Sequence, residues 1–142
     1  MVEIYTPCKA LDIEEGFLAD LQRGWDEIFL YLKEIGVGEI ADVEAMEITL
    51  LDDDEMSRLH EEFLQDPKTT DVITFEHGEL LIGVEVAKRQ ALEYGNTFER
   101  ELALYGIHGM LHLAGYDDRS KDEFELMKMR QEEILELFFP LE

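Results

Sequence analysis

The feature that most constrains the fold of this chain is an apolar segment that follows Asn96. Large apolar side chains lie on almost every side of the helix that this segment predicts: Leu102, Leu104, Tyr105, Ile107, Met110, Leu111 and Leu113. Asn96, followed three residues later by Glu99, predicts the N-cap of this helix. Gly115 predicts its end. Because a helix that is apolar on nearly every side must be covered by other elements, we predict that it lies at the centre of the domain.

The segments around this helix predict further helices and a small sheet. Apolar or capped segments predict helices over residues 12–36, from 52–54 to a stop before Pro67, over 85–94, and from a capping box at Ser120 and Glu123 towards the end of the chain. Branched and apolar runs predict strands over residues 43–51, 71–76 and 79–84, and the last two read as a hairpin. Residues 2–5 are compatible with another short strand. This order predicts an α+β domain, in which a small mixed sheet is packed with several helices.

The length and charge of the chain narrow its class. The 142 residues fit a single domain, 1–142, and a hydrophobic fraction of 46% is ordinary for a globular protein. There are 35 acidic and 12 basic residues, which gives a formal net charge of −23. Such acidity argues against a duplex-binding protein with a broad basic surface, because phosphate contacts dominate that kind of affinity. It does not exclude a small basic or metal-lined site that handles phosphate locally.

The compartment can also be predicted from the sequence. Cys8 is the single cysteine, so it cannot form an intramolecular disulfide, which is typical of a reducing compartment. Residues 1–7 have neither a basic nor an apolar region of a signal peptide. No stretch approaches the roughly 18 apolar residues that span a membrane. We therefore expect a cytoplasmic protein with no membrane partner.

One segment, from His108 to Asp118, carries a chemical signature. His108 and His112 are four residues apart on the central helix, so both imidazoles leave the same face and can bind one metal ion. Gly115 allows the chain to leave the helix sharply, so that Asp117 or Asp118 can supply a carboxylate. Two histidines and one carboxylate leave a position open for water, as a hydrolytic metal site requires. The alternative is a pair of hydrogen-bonded core histidines; the ligand spacing beside an Asp-rich turn favours the metal site.

The residue between the histidines bears on the reaction class. Gly109 occupies the position at which H-E-x-x-H metallopeptidases carry their general base. Its presence disfavours a peptidase and leaves metal-assisted hydrolysis of other substrates open.

The same segment resembles the signature H-G-x-L-H-L-x-G-Y-D-H of the YbeY family of bacterial rRNA maturation endoribonucleases. The positions that match are His108, Gly109, Leu111, His112, Leu113, Gly115, Tyr116 and Asp117. Upstream, residues 70–75 are similar to the T-D-V-L-S-F strand of the family, and the resemblance extends over about residues 43–137.

The resemblance implies a metal-dependent hydrolase that cleaves single-stranded RNA in late 16S rRNA 3′-end processing and in 70S ribosome quality control. It implies one zinc ion, held in the family by three histidines. Two of them correspond to His108 and His112, and Asp118 stands in place of the third. An oxygen ligand there would make a bound water less acidic and suit harder metals better, which leaves the metal identity open. Asp117 is a candidate proton shuttle or, equally, a turn cap.

A second departure from the family concerns an arginine that helps with the phosphate. Where the family has Tyr-Arg before the strand, this chain has Phe63 and Leu64. Arg58 and Lys68 lie nearby but do not match the motif. Losing such a charge clamp costs on the order of 10²–10³ in rate, so we expect weak activity.

Three classes of function therefore remain: a metal-dependent endoribonuclease, a metallohydrolase of another substrate class such as peptides, and a metal-binding ribosome-associated factor with little catalysis. The expected partners are single-stranded RNA and, through the acidic surface, basic ribosomal proteins. We expect a monomer. Arg119 and Lys121 adjoin the proposed metal loop and could face a phosphate backbone, whereas we expect Lys128 and Arg130 to pair with neighbouring glutamates.

Overall fold

The computed structural model describes residues 1–8, 11–64 and 71–139, without the side chain of Leu64. Pro67, Lys68 and Thr70 therefore lie outside the described residues. The elements, in chain order, are β1 (Val2–Tyr5), α1 (Glu15–Ile35), a 3₁₀ turn (Glu39–Asp42), β2 (Met46–Leu51), α2 (Asp53–Leu64), β3 (Val72–Phe75), β4 (Glu79–Gly83), α3 (Val84–Tyr94), α4 (Phe98–Leu113) and α5 (Lys121–Phe138).

The strands form one mixed sheet in the order β1-β2-β4-β3. β2 pairs in parallel with both β1 and β4, and β3 pairs antiparallel with β4. The turn of this hairpin contains Gly78, whose N–H donates to the carbonyl of Phe75 at 3.0 Å. The predicted hairpin and the predicted α+β class with a small mixed sheet are both confirmed.

The two faces of the sheet are covered differently. On one face the side chains of Met46, Ile48 and Leu50 are fully buried in the main core, with α1 and α4. On the other face Met56 of α2 packs in a smaller cluster with Ile73 and two leucines. Among the described helices, none combines the length and apolar character needed to cross a membrane.

The apolar helix α4 lies at the centre of the domain, as predicted from its sequence. It packs on α1, where the indole N–H of Trp25 donates to the carbonyl of Ala103 at 3.1 Å. It also lies close to the sheet, since a Cβ at Gly109 would stand 2.8 Å from the side chain of Leu80. Position 109 therefore faces the sheet, and a larger side chain there would displace the helix that carries both histidines.

Three predicted boundaries were wrong. α1 begins at Glu15 rather than at residue 12. The N-cap of α4 is Thr97 rather than Asn96: the Thr97 hydroxyl accepts from the N–H of Arg100 at 3.1 Å. Asn96 instead belongs to the end of the preceding helix: its N–H donates to the carbonyl of Ala91 at 2.9 Å, and its side-chain amide donates to Glu101 at 3.0 Å. β2 begins at Met46 rather than at residue 43, because the N–H of Val43 closes the 3₁₀ turn.

Candidate metal centre

The end of α4 is shaped so that the chain turns back on itself. Gly115 has a left-handed backbone with φ of 97°. The N–H of Tyr116 donates to the carbonyl of Leu111 at 3.0 Å, and that of Gly115 to His112 at 3.1 Å, which is the Schellman pattern of a helix C-terminus. Because a side chain at position 115 would be strained in this conformation, glycine is required for the return. The turn brings the following loop back beside the last two turns of α4.

This return places three candidate ligands around one point. The Nε2 atoms of His108 and His112 lie 3.0 Å apart, and Oδ2 of Asp118 lies 3.6 Å from the first and 3.8 Å from the second. The circle that passes through these three atoms has a radius of about 2.0 Å. Any three ligand atoms of a tetrahedral zinc ion, with bonds of about 2.0–2.1 Å, lie on a circle of nearly the same radius. The donor set therefore fits one metal ion, and the structure brings together the three predicted ligands.

The orientation of the His108 ring is set from α5. Its Nδ1 lies 2.6 Å from Oε1 of Gln131. Because an amide oxygen only accepts, Nδ1 carries the hydrogen, and the lone pair of the neutral ring is on Nε2, which faces the other two ligands. A second contact of this kind is usual for histidines that bind metals. Sequence reasoning missed Gln131, since nothing in its neighbourhood on α5 signals contact with a residue on α4.

The electrostatic setting also favours a cation. His112 lies in the last turn of α4, where the helix dipole places partial negative charge. The carboxylate of Asp118 adds a full negative charge within 4 Å of both rings. All three side chains keep between 25% and 37% of their surface exposed, so a bound ion would remain open to solvent on one side.

The open side faces a cleft of about 490 Å³. Besides the two histidines, its lining includes Thr74 of β3, Tyr116, and the acidic side chains of Glu39, Glu76 and Asp117. Arg119 stands at its edge with 87% of its side chain exposed, and it is the basic residue that lines the cleft among the described residues. The predicted position of Arg119 beside the metal loop thus agrees with the structure.

Asp117 lies in the cleft but is engaged in the loop itself. Its Oδ1 accepts from the N–H of Asp118 at 2.8 Å, and its Oδ2 lies 3.3 Å from Nε of Arg119. These contacts fix the backbone next to the proposed ligand and agree with the turn-cap interpretation. The proton-shuttle role of Asp117 stays a prediction.

A half-buried arginine anchors the same loop from behind. Arg130 donates to the hydroxyls of Tyr116 and Tyr31, both at 3.2 Å, and only 17% of its side chain is exposed. The hydrogen bond with Tyr31, ahead of that with Tyr116, raises the pKa of Arg130 above its already high value. Its contact with Glu133 is looser, at 3.5 Å. The expected pairing with a glutamate is therefore a minor part of its role, which is to tie α1, α5 and the metal loop together.

Arg58 does not replace the phosphate-binding arginine that the family resemblance leads us to expect. Its guanidinium is bound to Glu55 at 2.9 Å and Glu62 at 3.3 Å on its own helix, α2. Arg58 is not among the residues that line the cleft. Lys68, the other nearby cation, lies outside the described residues.

Comparison with known proteins identifies relatives over most of the chain. The family model described as Endoribonuclease YbeY matches residues 19–138. A protein named Endoribonuclease YbeY from Exiguobacterium sibiricum is 37% identical over 113 residues, covering 66% of this chain and 72% of that protein. One of the same name from Bacillus thuringiensis is 31% identical and covers 86% and 94%. The solution structure of TM1509 from Thermotoga maritima has a TM-score of 0.65 and 33% identity, covering 96% of this chain and 90% of that one.

Proposed function

The chain belongs to the YbeY endoribonuclease family, whose members are hydrolases acting on RNA, and on that premise we propose that it cleaves single-stranded RNA at a metal ion held by His108, His112 and Asp118. The observation that carries this proposal is the triangle of ligand atoms, with sides of 3.0, 3.6 and 3.8 Å, beside an open cleft. When bound, a divalent ion would supply a polarised phosphate oxygen and a more acidic water.

Each residue of the proposed metal site has a separate task. His108 and His112 present neutral imidazole nitrogens, and Gln131 holds the first ring in the required tautomer. Asp118 adds an oxygen ligand. We propose zinc as the metal, with more tolerance of harder ions than a three-histidine site would have. Arg119, with 87% of its side chain exposed at the edge of the cleft, would contact a phosphate of the RNA.

The peptidase alternative is not favoured. The general base of such a metallopeptidase would stand at position 109, and there the backbone faces Leu80 and the sheet rather than the cleft. The related proteins are also named as endoribonucleases. Neither these names nor the geometry of the site supports the other alternative, a metal-binding ribosome-associated factor with little catalysis.

The biological substrate that we propose is the 3′ end of 16S rRNA, with a part in 70S ribosome quality control, because the family resemblance implies both. A net charge of −23 makes tight binding to RNA alone unfavourable. We therefore propose that basic ribosomal proteins recruit the chain, that it acts as a monomer, and that it does so in the cytoplasm.

Metal content and RNA cleavage test the proposal together. Purified protein should contain about one divalent ion per chain, and His112→Ala should lose it. His77→Ala is the matched control, because His77 is exposed and stacks on Phe75 away from the cleft. A labelled single-stranded oligoribonucleotide should be cut in a metal-dependent way by wild type and His77→Ala but not by His108→Ala, and an RNA duplex should stay intact. Equal cleavage by wild type and His108→Ala would overturn the proposal.

A further inference from the structure

A second recess lies on the far side of His108. It has a volume of about 430 Å³, and His108 lines both this recess and the metal cleft. Its Nε2 faces the proposed metal, whereas its Nδ1 faces Gln131, which lines the second recess. If one phosphate of an RNA strand lies at the metal, a neighbouring nucleotide of the same strand can therefore reach the second recess.

The walls of this recess carry two exposed aromatic rings. Phe124 of α5 is 55% exposed and Tyr94, at the end of α3, is 67% exposed. Phe124, Lys128 and Gln131 lie at spacings of four and three residues on α5, so they share one face of that helix. Exposed aromatic rings beside a basic residue are the usual elements with which proteins bind single-stranded nucleic acid.

Lys128 is available to a ligand in a way that its neighbours are not. Arg100 is bound to Glu132 and Arg130 to Glu133. For Lys128, no carboxylate within the described ranges lies at ion-pair distance, although the chain has 35 acidic residues. An ammonium with no ion-pair partner among the described residues of so acidic a protein is a ready contact for a phosphate.

The floor of the recess offers a hydrogen-bond donor. The side chain of Tyr105 lines it and is 92% buried, being only 8% exposed. Residues 1–8, 11–64 and 71–139 offer its hydroxyl no hydrogen-bond partner. Burial, together with the negative charge of Asp71, raises the pKa of this hydroxyl, so it remains a neutral donor. Because none of the fully buried side-chain nitrogen and oxygen atoms among the described residues lacks a hydrogen-bond partner, this unpartnered hydroxyl opens to the recess, where it can donate to a ligand with acceptor atoms.

We propose that this recess is a subsite for one unpaired nucleobase of the RNA strand, which stacks on Phe124 and accepts from Tyr105 while Lys128 contacts an adjoining phosphate. This inference rests on the proposed function, because it takes RNA as the substrate. A phosphate inside the recess is disfavoured, since Asp71, Glu101 and Glu132 also line it. An uncharged base meets no such repulsion, and every base has a face that can stack.

Two small probes separate the base from the rest of the nucleotide. Adenosine monophosphate and ribose 5-phosphate carry the same phosphate and sugar, but only the first has a base. We would titrate each into zinc-loaded protein and follow the amide and aromatic NMR signals. Adenosine monophosphate should shift the signals of Tyr94, Tyr105 and Phe124, and ribose 5-phosphate should not. Phe124→Ala should bind adenosine monophosphate roughly 5- to 10-fold more weakly, the lower part of the range for loss of one stacking ring.

Matched variants show that the effect belongs to the recess. Phe124→Trp keeps a ring and should restore binding. Met129→Ala removes a side chain of α5 that is 54% exposed but does not line the recess, and it should bind as wild type does. In cleavage assays Phe124→Ala should raise KM by a similar factor with little change in kcat, and thermal melting would verify that each variant is folded.

The outcomes distinguish the two proposals. If both probes shift the same signals equally, or if Phe124→Ala binds adenosine monophosphate as wild type does, the base subsite is wrong even where RNA is cleaved. If wild type cleaves no RNA but the base-dependent binding is present and lost in Phe124→Ala, the subsite stands and the proposed reaction fails.

Discussion

Replacing Gln131 with leucine removes the acceptor that orients His108 while leaving all three proposed metal ligands in place. In the native structure the His108 Nδ1–H donates to Gln131 Oε1 over 2.6 Å, a short contact between α4 and α5. In Gln131→Leu the ring can rotate or place its hydrogen on Nε2, which would remove the lone pair from the metal. We therefore expect the variant to fold and to bind zinc more weakly.

The expected loss of zinc affinity depends on how well the contact between His108 and Gln131 is shielded from water. Loss of a partner behind a metal-binding histidine typically weakens metal binding by about 10- to 100-fold. His108 keeps 25% of its side chain exposed, so water can take over part of the role of the amide. We expect about 10- to 30-fold weaker binding, or roughly 1.4–2 kcal/mol. Gln131→Glu keeps an acceptor and adds a negative charge, so its affinity should equal or exceed that of wild type.

Competition with a chromophoric zinc chelator at one fixed pH measures these affinities directly. Gln90→Leu makes the same chemical change on α3, at a half-buried position that does not line the cleft, and it should leave zinc affinity unchanged. If Gln131→Leu binds zinc as tightly as wild type, or if Gln131→Glu is weakened as much as Gln131→Leu, the ring is not oriented by this contact and the argument is refuted.

Three further changes probe the surroundings of the site. Arg130→Met should lower the free energy of unfolding by about 2–3 kcal/mol in chemical denaturation, because it removes a largely buried charged donor from two hydroxyls. Arg23→Met, which removes an exposed ion pair, should change the same quantity by less than about 1 kcal/mol. Because the folded-state pKa of Tyr105 is raised by burial, its contribution to stability is present below about pH 10 and lost as the pH rises further. Tyr105→Phe should therefore flatten the alkaline fall in stability measured by denaturant titration. Asp118→His should shift metal preference from manganese towards zinc in competition titrations, and an unchanged preference would remove Asp118 from the ligand set.

The part of the site that could be predicted from the sequence is the part governed by short spacing. His108 and His112 are one helical turn apart, and Gly115 follows within the same few residues, so helix geometry alone places them together. Gln131 lies on another helix, 23 residues from His108, and its contact depends on how α4 and α5 pack. The same limit applies to Arg130, whose bond to Tyr31 joins residues 99 apart. No local pattern encodes such contacts.

The cap of α4 shows a different limit of sequence reasoning. Asn96 and Thr97 are both good N-cap residues, and intrinsic preference does not separate them. In the structure Asn96 belongs to the end of α3, whose last turn its N–H closes, and its side-chain amide donates to Glu101 instead of capping α4. Neighbouring helices thus compete for the residues between them, and the outcome depends on both ends of the connection.

The charge of the cleft connects metal binding with RNA binding. Without an ion, the cleft presents the carboxylates of Glu39, Glu76 and Asp117, with Asp118 beside them, against the single guanidinium of Arg119 among the described residues. Such a surface repels phosphate, whereas a divalent ion at the histidines would offset two of these charges at the position where the scissile phosphate must lie. We therefore expect the strong acidity of the chain to make RNA binding depend on the metal. The proposed base recess fits this logic, since it adds affinity through an uncharged group that the acidic surface does not repel.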